Sequence, residues 1–262
     1  MIRSISYLIL SISIFSFSAL SSASPSSGIK RPVLIVGLSE TDYYPFYFEQ
    51  DGQIVGAAAE IVTHLAHKLK YQLKYKRFPW KRVQHNLAKG NIDMVLLYFK
   101  TPERAEHVYY VDLPHVYESS SLIVRRDSSI KYSGDLNQLI TYTFGNVNGY
   151  WHGASYSEHK TLNKRAFSST EELLTGLKRG SIDIAVGNKP VMLQIAKTMG
   201  HEDQFAFLEP KIDYAPDYIA FSKAKPKAKE RVKAFSKALK PFLKTKKYRQ
   251  ILEKYGFDIA PK

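Results

Sequence analysis

The stretch Leu87-Ala-Lys-Gly-Asn-Ile-Asp93 recurs in this chain as Leu177-Lys-Arg-Gly-Ser-Ile-Asp183. Each copy ends a helix-like stretch, turns at a glycine and enters an apolar run, at residues 92–98 and 182–187. Glycine suits the end of a helix because it adopts the left-handed conformation at little steric cost. Two such units predict two similarly built lobes with a ligand-binding cleft between them. The alternative is that both are ordinary α/β connections with no shared function.

Residues 1–23 have the pattern of a cleavable signal peptide. Arg3 supplies the charged start, residues 5–20 are apolar and serine-diluted, and Ser21-Ser-Ala23 offers small residues for cleavage. The apolar stretch is shorter than the roughly 20 residues of a membrane span, so an uncleaved anchor is the less favoured alternative. The chain has no cysteine, which excludes disulfides, thiolate metal sites and a lipoprotein leader. We expect a protein exported to the periplasm of a Gram-negative cell.

The chain is basic, with a net charge of +14. The excess is concentrated in residues 223–247, which hold ten lysines and Arg231 against the single acid Glu230. Export argues against nucleic acid as the partner. A solvated helix face that keeps the protein soluble is the favoured interpretation. Anionic lipid headgroups, an acidic ligand and an acidic docking partner remain open.

The predicted elements alternate between strands and helices, which is typical of an α/β fold with mostly parallel sheets. Predicted strands are 32–37, 71–77, 92–98, 118–126, 141–144, 166–168, 182–187 and 218–222, with a hairpin at Asp51-Gly52. Predicted helices are 57–69, one from Pro79, 171–179 capped by Thr170, 190–199, 226–243 and 246–255 capped by Thr245.

No linker interrupts the chain after residue 23, so the boundary between the lobes must fall inside ordered elements. We place one crossing near 118–122 and the return near 213–218. Lobe 1 is then discontinuous, with residues 24–119 and 219–262. Lobe 2 comprises residues 120–218.

The strongest local signal for binding is Thr101-Pro-Glu-Arg104, which follows the first repeat strand. Thr suits an N-cap, Pro the first helical position and Glu the first turn. Ligands gather at the carboxyl ends of strands in open α/β sheets. The free backbone N–H groups and Arg104 therefore predict an anion site. The alternative is an arginine on a solvated first turn.

Aromatic residues gather where loops are expected to meet the cleft. Their rings can stack on planar or cationic ligand groups. Core packing is the alternative for each one, but it explains Tyr and Trp in polar, glycine-rich loops less well. The set comprises Tyr43, Tyr44, Phe46, Tyr47, Trp80, Tyr98, Phe99, Tyr150 and Trp151.

Over residues 33–257 the chain resembles the periplasmic solute-binding proteins of the polar amino-acid type, family 3. The resemblance implies a type II fold of two α/β lobes joined by two crossover strands, which closes on its ligand by hinge motion. It also implies a monomeric, non-enzymatic protein without a cofactor, which delivers a small solute to an inner-membrane ABC permease. The segments that carry it are Tyr44-Pro-Phe46, Asp51-Gly52 with Gly56, Gly90-Asn-Ile-Asp93, Thr101-Pro-Glu-Arg104, Gly145-Asn-Val-Asn-Gly149, Gly180-Ser-Ile-Asp183 and Tyr218-Ile-Ala220.

The resemblance assigns roles in ligand binding to particular residues. It implies that Arg104 grips the α-carboxylate, that Tyr44 or Phe46 packs on the ligand side chain, and that the loop holding Gly149 contributes from lobe 2. The full candidate set is Tyr44, Phe46, Trp80, Tyr98, Phe99, Arg104, Asn148, Gly149, Tyr150, Trp151 and Asn188.

Three departures from the family pattern bear on the ligand. The acid that commonly takes the α-ammonium, after the second repeat strand, is replaced by the neutral Asn188. Tyr98 and Phe99 replace small hydroxyl residues, and Tyr150 replaces the usual Thr. Loss of a charge-assisted partner costs about 1.5–3 kcal/mol. A carboxylate ligand with an aromatic or apolar body therefore fits these residues as well as an α-amino acid does.

Two other functions remain open. The same fold resembles that of cyclohexadienyl dehydratases, but these need a general acid, and Glu118, Asp112 and His115 near the crossing give no convincing one. The protein could also be a sensor or orphan binding protein without a transporter. His64-x-x-His67 has no evident third ligand, so we predict no metal site.

Overall fold

The computed structural model describes residues 31–257. The predicted signal peptide lies outside these residues. Among the helices of the described part, none is long and apolar enough to cross a membrane.

Eleven strands and eight α-helices are described in residues 31–257. The strands are β1 Val33–Ser39, β2 Phe48–Gln50, β3 Gln53–Val55, β4 Gln72–Phe78, β5 Met94–Tyr98, β6 Val108–Tyr110, β7 Val116–Arg125, β8 Thr143–Val147, β9 Asn163–Phe167, β10 Ile184–Gly187 and β11 Phe205–Ser222. The helices are α1 Ala57–Lys68, α2 Trp80–Lys89, α3 Pro102–Ala105, α4 Ala154–Ser157, α5 Thr170–Lys178, α6 Lys189–Thr198, α7 Ala228–Phe242 and α8 Lys246–Lys254.

The main sheet has the strand order β4-β1-β5-β11-β7-β10-β8-β9, and β6 pairs with β11. In its first half, β4, β1 and β5 are parallel. In its second half, β10, β8 and β9 are parallel. The antiparallel strands β7 and β11 lie between the two halves. The predicted α/β class with mostly parallel strands is confirmed.

The strands β7 and β11 carry the chain between the two halves of the sheet. Residues 116–120 of β7 pair with residues 213–217 of β11, and we call this pair of segments the hinge ribbon. The sequence predicted only the last five of the 18 residues of β11. Pro210 and Pro216 weaken the strand pattern in the sequence. In the structure, Pro210 lies at a shift in the β7–β11 register, and Pro216 lies within the ribbon. The predicted lobe boundaries, at residues 119 and 218, fall in or beside this ribbon and stay a prediction.

The two repeated glycines have the conformation that their sequence predicts. Gly90 ends α2 with φ of 75°, and Gly180 follows α5 with φ of 71°. A residue with a side chain is disfavoured in this left-handed region. Both copies thus make the same tight turn from a helix into a strand.

The two repeated aspartates also make equivalent hydrogen bonds. The Oδ2 atoms of Asp93 and Asp183 accept hydrogen bonds from the backbone N–H groups of Ile35 and Thr143, each at 2.9 Å. Ile35 lies in β1 and Thr143 in β8, so each aspartate fastens its turn to a neighbouring parallel strand. Asp93 is also paired with Arg231 at 2.8 Å.

One predicted helix cap is wrong by a residue. Ser169, not Thr170, caps α5, and its hydroxyl accepts the N–H of Glu172 at 3.2 Å. Thr170 is instead buried as the first helical residue. The cap at Thr245 is confirmed, since its hydroxyl accepts the N–H of Tyr248 at 3.2 Å.

The core lies between the sheet and the helices. The predicted stripe on α1 is buried at Ile61 and Leu65, and α1 packs against α7 and α8. In the second half, α5 packs against α6 and β8. These layers leave the carboxyl ends of β1 and β5 free to contribute to a cavity beside the hinge ribbon.

Candidate functional site

A cavity lies beside the hinge ribbon and takes residues from both halves of the sheet. The space inside it that a water-sized molecule can occupy is about 40 Å³, and the total is about 470 Å³ when adjoining open solvent is counted. The walls come from β1 and the loop after it, the start of α2, β5, α3, the ribbon, and the loop after β8. The lining residues are Gly37, Tyr43, Tyr47, Trp80, Val95, Leu96, Leu97, Tyr98, Phe99, Arg104, Glu118, Tyr150, Trp151 and Asp217.

Arg104 brings a buried positive charge to the cavity. Thr101 caps α3 by accepting the N–H of Arg104 at 3.2 Å, as predicted, and the side chain is only 8% exposed. The guanidinium donates to the carbonyl oxygens of Gly149 at 3.0 Å and Phe99 at 3.4 Å. It also lies over the ring of Tyr98, 4.4 Å from its centroid. No ion pair within residues 31–257 includes Arg104, so neutral carbonyls occupy donors that would bind a carboxylate more strongly.

Two buried carboxyl groups face the same cavity from the hinge ribbon. Glu118 is 5% exposed and Asp217 is 1% exposed. In the register of the ribbon, Ala215 lies opposite Glu118 and Val116 lies opposite Asp217. The two acids are therefore diagonal neighbours on one face, within reach of each other. We call Glu118 and Asp217 the acid pair.

The surroundings of the acid pair favour its protonated form. Burial raises the pKa of Glu118 to about 7, although the hydroxyl of Tyr43 donates to its carboxylate. Burial, and then the negative charge of Glu118, raise the pKa of Asp217 well above its usual value. Arg104 lowers both pKa values, but it does not offset burial. In residues 31–257 the Oδ2 of Asp217 has no hydrogen-bond partner. A cation that enters the cavity would meet groups able to give up a proton and become negative.

Aromatic rings form the wall between the two halves. Tyr150, from the loop after β8, makes edge contacts with Tyr43 and Trp80, at centroid distances of 5.8 and 5.9 Å. Trp80 in turn contacts Tyr98 at 6.1 Å. Burial raises the pKa of the Tyr150 phenol, so this side chain is neutral near pH 7. The second half of the sheet thus places a ring directly among residues of the first.

His152 adds a buried neutral group behind Tyr150. Its Nδ1 is hydrogen bonded to the hydroxyl of Ser120 at 3.1 Å. Its Nε2 has no partner among the described residues. Burial, and then the positive charge of Arg104, lower its pKa to about 3. The imidazole is therefore uncharged at neutral pH and does not compete with Arg104 for an anion.

Most of the candidate residues from the sequence meet at this cavity. Gly149 borders it, because its carbonyl oxygen accepts from Arg104. The six that line it are Trp80, Tyr98, Phe99, Arg104, Tyr150 and Trp151.

Four candidate residues lie elsewhere. Tyr44, Phe46 and Asn188 line a second cavity, together with Tyr117 on the opposite face of the hinge ribbon. Alternate residues of a strand point to opposite faces, so Tyr117 and Glu118 serve different cavities. Asn148 is exposed.

Local hydrogen bonds explain three of these displacements. In the turn after β1, the N–H of Tyr43 donates to the carbonyl of Tyr47 at 2.8 Å, and these two tyrosines line the first cavity in place of Tyr44 and Phe46. Asn188 caps α6 by accepting the N–H of Val191 at 3.3 Å. It also donates to the carbonyl of Ser119 at 3.0 Å. Its polar atoms are used within the fold.

Sequence reasoning missed the acid pair as a binding element. Glu118 entered only as a weak candidate for a general acid, and Asp217 not at all. A signal existed, because acids are rare in buried strands. The rule could not be applied to Asp217 from the sequence, because residues 213–217 were not predicted to form a strand. In the structure they pair with β7.

The predicted absence of a metal site rested on His64-x-x-His67. The ring of His64 stacks on Phe242 at a centroid distance of 4.2 Å. Across the described part of the chain, no group of three or more His, Cys, Asp or Glu side chains could hold a metal ion.

Comparisons with known proteins identify one protein family and two similar proteins. Residues 34–258 match the family model of the bacterial extracellular solute-binding proteins, family 3. The probable amino-acid-binding protein YxeM of Bacillus subtilis (strain 168) is 24% identical over 91% of this chain and 89% of its own length. The arginine-binding extracellular protein ArtP of the same organism is 26% identical over 86% of this chain and 87% of its own length.

A solved structure supports the fold. An ancestral arginine-binding protein bound to arginine superposes with a TM-score of 0.71 and is 25% identical. The match covers 86% of this chain and 98% of the other. The predicted two-lobe, type II periplasmic binding protein fold is confirmed.

Proposed function

The chain belongs to the bacterial extracellular solute-binding proteins, family 3, and on that premise we propose that it binds a free amino acid in the cavity beside the hinge ribbon. Arg104 receives the α-carboxylate, and the acid pair receives a cationic group of the ligand. One observation carries the proposal: a buried guanidinium and two buried carboxyl groups line the same cavity. Opposite charges in one cavity match a zwitterion better than they match a simple carboxylate.

The role of Arg104 rests on its donors. Each guanidinium nitrogen that now donates to a carbonyl could donate instead to one oxygen of a carboxylate. The contact with Gly149 joins α3 to the loop after β8, so a ligand carboxylate at this place would touch both halves of the sheet. Tyr98 under the guanidinium keeps it in position.

The acid pair replaces the missing acid at Asn188. An amino acid needs a partner for its ammonium group, and the hinge ribbon supplies two carboxyl groups in the same cavity. Glu118 can give up its proton and become negative, and the ring faces of the aromatic wall attract cations, which together favour ligands with a cationic side chain. The names of ArtP and of the ancestral protein, both arginine-binding, agree with this preference. We therefore expect arginine, lysine or ornithine to bind more tightly than neutral amino acids.

The aromatic wall suits the body of such a ligand. Guanidinium and ammonium groups are attracted to the faces of Tyr and Trp rings. Trp80, Tyr150 and Trp151 line the cavity together with the charged residues. They would exclude water from the ligand and strengthen its contacts with the buried charges.

A thermal-shift screen over amino acids and organic acids, followed by titration calorimetry, tests the proposal. A ligand at a hundred times its dissociation constant stabilises the protein by about 2.7 kcal/mol, which a melting curve resolves. We expect the cationic amino acids to give the largest shifts and dicarboxylates to give none. A preference for organic acids without an amino group would contradict the role of the acid pair.

An enzymatic function has one observation in its favour. Glu118 lies in the cavity with a pKa of about 7, so it holds a proton near neutral pH and could act as a general acid. In a dehydratase acting on prephenate, it would protonate the leaving hydroxyl as water departs, while the ring carboxylate leaves as carbon dioxide. Incubation with prephenate or arogenate distinguishes the two functions. The binding proposal expects neither phenylpyruvate nor phenylalanine to form.

We further propose that the protein is exported through its leader and passes its ligand to an ABC permease as a monomer. The family description as extracellular supports export. The mass of the protein recovered from outside the cytoplasm checks cleavage after Ala23, and sedimentation checks the monomer. Uptake of labelled ligand by cells with and without this gene checks the link to a transporter. Equal uptake would favour a sensor or an orphan binding protein.

A further inference from the structure

The helix α7 presents a row of lysines to solvent. Lys229, Lys233, Lys237 and Lys240 recur every three or four residues, so they share one side of the helix. Lys244 continues the row just beyond its end. All five are exposed, and we call them the lysine face. At the helical rise the row extends over about 22 Å.

Packing of α7 fixes which side is outward. The opposite side of the helix is buried through Phe235, Leu239 and Phe242. These side chains hold α7 against the body of the protein, so the lysine face cannot turn inward. Its direction is a property of the fold and not of one rotamer.

The neighbouring acids are already engaged by other cations. Asp93 is paired with Arg231 at 2.8 Å and lies 3.7 Å from Lys225. Glu60 is paired with Lys254 at 2.6 Å. Within residues 31–257, no ion pair involves the lysine face. Glu230 is the one acid on α7 itself.

The positive surface extends beyond α7. Lys246 and Lys247, at the start of α8, are exposed. Burial lowers the pKa of His64 on α1, and the positive charges of Lys247 and Lys68 lower it further. Because His64 stacks on Phe242 on the buried side of α7, Lys68 and Lys247 lie beside α7 and are not part of the lysine face.

We propose that the lysine face lies against anionic phospholipid headgroups and holds the protein at a membrane surface. The row is about 22 Å long, and all of its lysines are exposed, which fits a broad charged surface rather than a pocket. It consists of lysines, whose point charges suit diffuse attraction, and not of arginines, which suit bidentate recognition. Clusters of four to eight basic residues are typical of binding to anionic lipids.

Two other partners fit less well. A stable protein complex needs an apolar centre, and the large exposed apolar side chains of the described residues include none from α7 or α8. Binding of single-stranded nucleic acid relies on aromatic stacking platforms. The one ring that a lysine of this face covers is that of the half-buried Tyr109, 5.4 Å from the Nζ of Lys229, and a single ring makes no stacking platform. The inference does not depend on the proposed ligand, because none of these lysines lines the cavity.

Vesicle sedimentation tests the proposal with the full protein as it is recovered from cells. We expect binding to phosphatidylglycerol-containing vesicles at low salt, loss of binding at high salt, and no binding to pure phosphatidylcholine. The variant K233Q/K237Q/K240Q should bind the anionic vesicles about a hundredfold more weakly, at roughly fivefold for each lysine. Because every variant has the same first 30 residues, a difference between variants reports on α7 and not on the leader.

The matched control removes three exposed lysines from other segments, as K131Q/K160Q/K211Q. It changes the net charge equally and should bind nearly as the original protein does. Equal weakening in both variants would show that net charge alone acts, and would overturn the proposal. No binding to anionic vesicles, or binding to duplex DNA in their place, would overturn it as well. Titration of the same variants with arginine should give the same affinity as for the original protein, which separates this result from the function of the cavity.

Discussion

The two glycine–aspartate turns are alike up to the strand and differ after it. In each, a left-handed glycine ends a helix and an aspartate binds a backbone N–H of a neighbouring strand at 2.9 Å. The strand β5 then leads to Arg104, whose charge enters the cavity. The strand β10 leads to Asn188, which caps α6 and lines another cavity. The shared turn thus fixes the scaffold, while the residues a few positions later decide whether a polar side chain enters the cavity.

In the proposed function, a third region supplies the acid that the second turn lacks. The hinge ribbon places Glu118 and Asp217 in the cavity. A ribbon that passes between the halves of the sheet is well suited to report on ligand, because its strands belong to both. Binding a cation at the acid pair would thus place a ligand contact on the segments that a hinge motion must bend.

The largest effect should come from the first turn. Replacing Arg104 by alanine removes the buried partner of a ligand carboxylate, and we expect affinity to fall by about a hundredfold or more, as measured by calorimetry. Arg82→Ala, an exposed arginine on α2, is the control and should leave affinity unchanged. Unchanged binding by the Arg104 variant would remove the distinction between the two turns.

A second test compares the two aspartates directly. Asp93→Ala loses a backbone hydrogen bond and leaves Arg231 without its ion-pair partner. We therefore expect the free energy of unfolding to fall by about 3 kcal/mol. Asp183→Ala also loses a backbone hydrogen bond, but Asp183 makes no ion pair in the described structure. We therefore expect its free energy of unfolding to fall by about 1 kcal/mol. Urea unfolding measures both, with the exposed Asp127→Ala as a control. Equal losses would mean that Arg231 adds nothing to the first turn.

The third test concerns the pH dependence that the acid pair imposes on binding. Glu118 has a pKa of about 7, and a bound cation favours its ionised form, so binding releases a proton. Affinity for a cationic amino acid should rise from about pH 6 to about pH 8 and then level off. Glu118→Gln should bind about ten- to a hundredfold more weakly at the upper end, and its own dependence on pH should be much flatter. Calorimetry in buffers of different ionisation enthalpy counts the protons released. An identical pH profile in the variant would exclude Glu118 as the titrating group.

The smallest effect is expected at the second turn. Asn188→Asp restores the acid that the family resemblance implies, but it removes the donor to the carbonyl of Ser119. We expect the free energy of unfolding to fall by about 1–2 kcal/mol and the dissociation constant to change by less than about twofold. A tenfold gain in amino-acid affinity would show that the second turn belongs to the binding site after all.

Much of the scaffold followed from local signals. Gly90, Gly180, Thr101 and Thr245 act as predicted because turns and caps depend on a few neighbouring residues. The cap at Thr170 was misplaced by one residue because Ser169 offers the same hydroxyl. The first part of β11 was missed because its prolines weaken the strand signal, which only pairing with β7 overrides.

The α/β class, the repeated turns and the position of Arg104 at the carboxyl end of a strand could all be predicted from the amino-acid sequence. These depend on backbone conformation and on the period of apolar residues, both of which are local. Packing of the folded chain brings Glu118 and Asp217 together. It also places Tyr43 and Tyr47 in the cavity in place of Tyr44 and Phe46, and Asn188 in a second cavity. The position of the acid pair depends on strand register across about a hundred residues of chain, where a shift of one residue would move every side chain of the ribbon to the other face. Hydrogen bonds in a turn and in a helix cap place Tyr43, Tyr47 and Asn188.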